Sequence, residues 1–234
     1  MSVQQAVEQV RARIAAAARL AGRDPAEVTL VAATKTQSDQ TIREAVAAGI
    51  TVCGENRVQE FTAHQAGGAY EGAAVHFIGH LQTNKVKYVV GQVELIESVS
   101  SDKLLEAVAA QAAKLGIRQD VLLEVNIGRE ESKSGYLPEQ VLDAARFAAS
   151  LSPIRLRGLM AIPPAARVPG ENRPFFAQMN QLFVDIRTEL RNNETDITAL
   201  SMGMSGDYPD AVAEGATLVR VGSALFGPRP APGR

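Results

Sequence analysis

The sequence predicts an α/β fold, a single closed (β/α)8 barrel of the TIM type. Two observations carry that expectation. Short β-type runs recur eight times at a regular interval, at 28–33, 50–54, 75–79, 93–99, 121–126, 156–162, 197–202 and 217–222. Each interval holds one helical pattern, and strict alternation of strand and helix makes parallel strands joined by right-handed crossovers. Eight such units in about 200 residues close a barrel more readily than they spread into an open doubly wound sheet, the alternative architecture.

The elements follow in order. Val3, Val7, Val10, Ile14 and Ala18 recur at helical spacing with the acidic Glu8 among them, which reads as an opening helix rather than an Arg-bearing targeting peptide. The first strand is followed by a helical pattern at 38–48, and the next ones lie at 55–66, 84–90, 102–115, 138–149 and 174–191. A short pattern at 207–214 precedes the eighth strand. Only 163–170 and 228–234 read as loop-like clusters, the second a short Pro-rich tail. No linker or shift of composition divides the chain, so 1–234 is read as one domain.

Composition excludes several classes of function. With 24 Lys+Arg against 26 Asp+Glu the formal charge is −2, which lacks the basic excess that a nucleic-acid surface needs. An apolar fraction of 46% suits a folded chain and not a disordered one. The single cysteine, Cys53, leaves no intramolecular disulfide and no Cys-cluster metal site, so no metal is expected and a reducing compartment fits. The longest apolar run near the N-terminus, 14–18, is bounded by Arg13 and Arg19 and is far short of a membrane span. A cytoplasmic protein without nucleic-acid or membrane partners is the expectation.

In such a barrel the chemistry sits where the strands end. The first strand ends in Thr34-Lys35-Thr36, and strand alternation puts Lys35 on the side of Val31 and Ala33, toward the mouth. A lysine with apolar residues below it sheds its proton more easily and can form an imine; otherwise it is a solvated rim lysine. After the second strand, Asn56 either caps the next helix or reaches the mouth. After the third, His80 contacts a ligand or is a structural hydrogen-bonding histidine, while His76 reads as a strand residue and His64 as a helix-surface one.

Strand seven runs into the small-residue turn 201–207, whose free N–H groups ahead of a helix suit a phosphate. Strand eight ends in Arg220-Val221-Gly222-Ser223, where Gly222 permits close backbone approach and Ser223 offers a hydroxyl and an N–H. Loops after strands seven and eight recurrently form a phosphate site in barrels of this type. Arg220 shares parity with Leu218 and Gly222. If that face looks inward, a permanent cation is buried and needs a partner: a core carboxylate, a heteroaromatic nitrogen or an anionic ligand group. Lysine, phosphate cup and arginine on one mouth describe a phosphorylated aldehyde held as an imine. Pyridoxal 5′-phosphate (PLP) satisfies all three, and a Schiff-base aldolase acting on a sugar phosphate would use the first two.

The residues also carry a family resemblance. Ala33-Thr34-Lys35-Thr36, GENRVQE (54–60), HFIGHLQTNK (76–85), SVSSDKL (98–104), EVNIGREESKSG (124–135), RGLMAI (157–162), LSMGMSGDYPDAV (200–212) and VRVGSALFG (219–227) resemble the pyridoxal-phosphate homeostasis protein family over nearly the whole chain. The resemblance implies a fold-type III PLP barrel like the N-terminal domain of alanine racemase. It implies a cytosolic protein that binds PLP and serves vitamin B6 balance without established catalysis. By the same resemblance Lys35 is the imine lysine, Ser205, Gly222 and Ser223 hold the phosphate with the Met204 backbone, Arg220 meets the ring nitrogen, and Asn56 and His80 line the pocket. Val75 stands where the family often has Trp, Ala33-Thr34 where Val-Ser is usual, and Ser223 where Thr is common; serine keeps the hydroxyl that a phosphate needs.

The competing expectation is an amino-acid racemase. An always-charged arginine beside the ring nitrogen weakens the ring as an electron sink, and a two-base racemase needs a second acid/base, supplied in related racemases by a tyrosine of a second domain. The expectation is therefore a carrier of PLP that acts as a monomer, with apo PLP-dependent enzymes as recipients.

Overall fold

The computed structural model describes residues 1–191 and 196–228, so the predicted tail beyond Pro228 lies outside the described residues. Helix α1 (Val3–Leu20) begins at a reciprocal cap: Gln5 N donates to Ser2 Oγ at 3.2 Å and Ser2 N to Gln5 Oε1 at 3.0 Å. It buries Val7, Val10, Ile14 and Ala18, the residues whose spacing predicts it. The strands are β1 (Thr29–Ala33), β2 (Val52–Glu55), β3 (Ala74–Phe77), β4 (Leu95–Val99), β5 (Gln119–Val125), β6 (Ile154–Ala161), β7 (Ala199–Ser201) and β8 (Leu218–Val221). Every neighbouring pair is parallel, and β1 pairs with both β2 and β8, which closes the barrel. The intervening helices are α2 (Asp39–Ala47), α3 (Val58–Ala66), α4 (Asp102–Leu115), α5 (Val141–Ser150), α6 (Arg173–Glu189) and α7 (Tyr208–Ala213), followed by a single turn, α8 (Ser223–Phe226).

Strand parity divides the core in two. Leu30, Ala32, Cys53, Phe77, Ile96, Leu123, Val219 and Val221 face outward and pack beneath the helices. Val31, Val52, Leu95, Leu122, Met160 and Leu218 form a separate cluster inside the barrel. Fully burying a side chain of this size contributes roughly 1.5–3 kcal/mol, so both layers drive closure. The inner layer places the next inward positions, Lys35 after Val31 and Ala33 and Arg220 after Leu218, toward the mouth.

Three expectations change. The 84–90 segment is a 3-10 helix, Thr83–Tyr88, because the connection is one short stretch that buries only Val86 and closes on i→i+3 bonds such as Lys85 N to Gln82 O at 2.9 Å. Glu55 belongs to β2 and not to the following helix: it pairs with Phe77, and its carboxylate accepts from Thr34 Oγ1 and from Tyr70 Oη at 2.9 Å. Helix α3 therefore starts at Val58 after Arg57, and Asn56 is not its cap. His64 is not a surface residue, since its side chain is 12% exposed and its Nδ1 lies 2.6 Å from Asp39 Oδ1 on α2.

Candidate functional site at the barrel mouth

The Lys35 turn is tied down on both sides. Thr34 N donates to Gly54 O at 3.0 Å, Gln37 N to Thr34 O at 3.1 Å, and Thr36 N to Glu60 Oε2 at 3.2 Å. Thr36 has φ +65, a left-handed conformation that costs a β-branched residue energy and persists only where the surroundings enforce it. Desolvation raises the pKa of the Glu55 carboxyl that anchors Thr34, against the hydrogen bonds from Thr34 and Tyr70.

On the far rim, Gly203 takes φ +91 with its α-carbon hard against α7, where a Cβ would stand 2.5 Å from Ala211 Cβ. The turn is held by Met204 N donating to Asp207 Oδ1 at 2.7 Å, and Asp207 Oδ2 accepts from Asn172 Nδ2 at 2.7 Å. Gly222 N and Ala224 N converge on one acceptor, Ser205 Oγ, each at 3.2 Å. Two amides aimed at a single oxygen make an anion-receptive corner.

Between these rims lies a cavity of about 350 Å³. Lys35, Asn56, Met204, Ser205, Arg220, Gly222 and Ser223 all line it. His80 does not. It is exposed, its Nδ1 is 3.2 Å from Ser134 Oγ, and it lines an adjoining cavity of about 290 Å³ with Glu124, Asn126 and Lys133. Asn56, Ile78 and Ile162 form the wall common to both cavities. Asn56 Oδ1 is buried and has no hydrogen-bond partner among the described residues, an acceptor that a ligand donor would satisfy.

Arg220 is buried at 4% exposure and points inward, and its partner is a core carboxylate. Its Nη1 donates to Ser201 Oγ and lies 3.8 Å from Glu97 Oε2, while Nη2 donates to Ala161 O at 2.8 Å. Ser201 Oγ donates to Glu97 Oε2 at 2.6 Å, and the other Glu97 oxygen is 2.7 Å from His76 Nδ1. Desolvation pulls the His76 imidazole down, but the bonds to Glu94 and Glu97 outweigh it and push its pKa up to about 9. Glu97 is fully buried, and although desolvation opposes ionisation, His76, Arg220 and Ser201 hold its carboxyl below the usual range. Glu124, inward on β5, goes the other way: burial raises it to about 7 against the pull of Arg220 and Lys133.

Glu97, His76, Ser201 and Glu124 are absent from the residues the sequence reading singles out for the mouth. The run 93–99 carries two carboxylates, Glu94 and Glu97, and the register shift between Ile96 and Val99 keeps the sequence alone from marking Glu97 as the partner of the lone arginine in 217–222. Among the described residues no cluster of three or more His, Cys, Asp or Glu is arranged to hold a metal ion, and no helix is long and apolar enough to cross a membrane.

The family model for the alanine racemase N-terminal domain matches residues 6–230. A pyridoxal phosphate homeostasis protein of Aquifex aeolicus is 41% identical over 98% of this chain and 99% of its own length. This chain belongs to the pyridoxal phosphate homeostasis protein family. Among solved structures of similar chains, PipY of Synechococcus elongatus with PLP bound is 33% identical, with a TM-score of 0.83 over 97% of this chain and all of that one. An unknown protein from Bifidobacterium adolescentis is 39% identical, with a TM-score of 0.89 over 96% of this chain and 94% of that one. Alanine racemases at 18% identity or below share the fold alone with this family member.

Proposed function

We propose that this chain binds PLP at the barrel mouth and serves intracellular PLP homeostasis as a carrier rather than a catalyst. One observation carries the reading: Lys35, Asn56 with its unpartnered Oδ1, Ser205, Gly222 and Ser223, and Arg220 all line one cavity. When bound, PLP supplies an aldehyde for a lysine amine, a phosphate dianion and a pyridine nitrogen. The residues present fit each part.

Lys35 is the residue we assign to the covalent imine. Ser205, Gly222 and Ser223, with the Met204 main chain, are the residues we assign to the phosphate; the Gly222 amide now donates to Ser205 Oγ and the Met204 amide to Asp207 Oδ1, so a bound phosphate would have to take over these donors. Arg220 faces the ring nitrogen. A guanidinium anchored to a buried carboxylate does not give up a proton, so it disfavours protonation of that nitrogen and supports storage over electron withdrawal. His80 belongs to the adjoining cavity in this reading and touches the cofactor only across the Asn56 wall.

The reading extends to a cytoplasmic monomer that hands PLP to apo PLP-dependent enzymes. The test is transfer. Loaded protein is mixed with an apo PLP-dependent enzyme, and recovery of that enzyme's activity is compared with recovery from free PLP at matched concentration. Recovery at least as fast as with free PLP, together with no conversion of L-alanine to its D form by this protein, is the expected result. Failure to take up PLP, or steady racemisation, would contradict it.

A further inference from the structure

The polar residues beneath the mouth form a chain through the barrel. It starts at Glu94, whose side chain is 66% exposed and whose Oε1 lies 3.8 Å from His76 Nε2. It continues from His76 Nδ1 to Glu97 Oε1 at 2.7 Å, from Glu97 Oε2 to Ser201 Oγ at 2.6 Å, and from Ser201 Oγ to Arg220 Nη1. Four strands contribute one inward residue each: His76 from β3, Glu97 from β4, Ser201 from β7 and Arg220 from β8. The charges alternate, with Glu97 as the one anion between two cations.

A buried charge network is a poor way to gain stability, because apolar side chains of similar volume serve at least as well. What it does provide is a fixed geometry. Arg220 has a long, flexible side chain, and the bonds to Ser201 Oγ and Ala161 O fix the orientation of its guanidinium plane. Ser201 can donate to only one acceptor, and Glu97 takes that proton, so the Ser201 lone pairs remain for Arg220. His76 in turn holds the Glu97 carboxylate against rotation.

Resting on the PLP reading above, we propose that Glu97 is a positioning residue for Arg220. Acting through Ser201 and steadied by His76, it sets the guanidinium against the nitrogen of a bound pyridine ring.

The test compares two phosphorylated ring ligands that form no imine. One is 4′-deoxypyridoxine 5′-phosphate, which carries the ring nitrogen, and the other is benzyl phosphate, which has a ring and a phosphate without it. In Glu97→Gln the first should lose about tenfold in affinity, the scale of one charge-assisted hydrogen bond, while the second stays within about twofold. Ser201→Ala, which deletes only the bridging hydroxyl, should show the same selective loss at about threefold and keeps the test available if Glu97→Gln does not fold. Equal loss of both ligands, or loss of neither, overturns the proposal. If wild-type protein binds neither ligand, the PLP reading fails instead. The positioning then stands or falls on the ligand-free protein: the Arg220 Nε–H resonance should be sharp in wild type and broadened in Glu97→Gln, and an unchanged resonance contradicts it.

Discussion

Lys35 stands on a turn whose neighbours are each pinned by a carboxylate, Thr34 by Glu55 and Thr36 by Glu60. That arrangement holds the lysine backbone at the inner edge of the mouth. Lys35→Ala should therefore keep the fold and the phosphate corner, abolish the imine absorption of PLP-loaded protein, and leave weaker but measurable PLP affinity; an imine band retained in full would remove Lys35 from its assigned role. At Arg220 the buried partner decides which substitution informs. Arg220→Glu would set a second carboxylate beside Glu97 in the barrel interior, and breaking a buried pair in that way costs about 3–5 kcal/mol. Its urea-unfolding midpoint should fall accordingly, and an unchanged midpoint would contradict the Glu97 pairing. Arg220 was legible as a buried cation from parity in β8 alone. Its partner was not, because pairing across the barrel from β8 to β4 depends on strand register and on the bulge in β4, which no local pattern encodes.

At the scale of elements, the two loops that build the corner proposed for the phosphate and the β2 end that presents Asn56 depend on close backbone approach. Gly79, just past β3, shows this most clearly: a Cβ there would stand 2.1 Å from Asn56 O and 2.5 Å from Asn56 Cα. Gly79→Ala must push the Asn56 backbone away, so it should cost about 1–3 kcal/mol of stability and weaken PLP binding together. Thermal unfolding and a PLP titration of the same sample check both, and an unmoved affinity would take Asn56 out of the site. The β/α alternation, and with it each strand, was readable from short apolar runs recurring at a regular interval with one helical pattern between them. Element ends were less so. The 83–88 connection shows a helical pattern but is too short and too little buried to hold an α-helix, and Glu55 looks like a polar helix start until the Thr34 and Tyr70 bonds that bury it are known.

For the whole molecule, buried titratable groups set how stability varies with pH. The folded-state values of His76, about 9, and Glu124, about 7, both lie above their ordinary values, so each contributes stability at low pH that is lost as pH rises through its folded value. Glu97 is shifted down, so its contribution is present above the ordinary glutamate range and lost as pH falls. Stability should thus peak on the acid side of neutrality and decline from about pH 5 to pH 9. Glu124→Gln should flatten the part between about pH 5 and 7, a change bounded by about 3 kcal/mol. Urea midpoints measured across that range check it, and a stability that rises with pH would contradict the assignment. Closure of eight parallel strands brings the Lys35 turn of β1 next to the Arg220 strand, since Val31 pairs directly with Arg220. That juxtaposition of residues far apart in sequence brings two loop motifs and a lone lysine together at the site proposed for PLP. The central claim is tested most directly by adding PLP to the purified protein, reducing with borohydride and locating the adduct by peptide mass. A single adduct on Lys35 is the predicted result; no adduct, or an adduct on another lysine with Lys35 unmodified, would contradict the account.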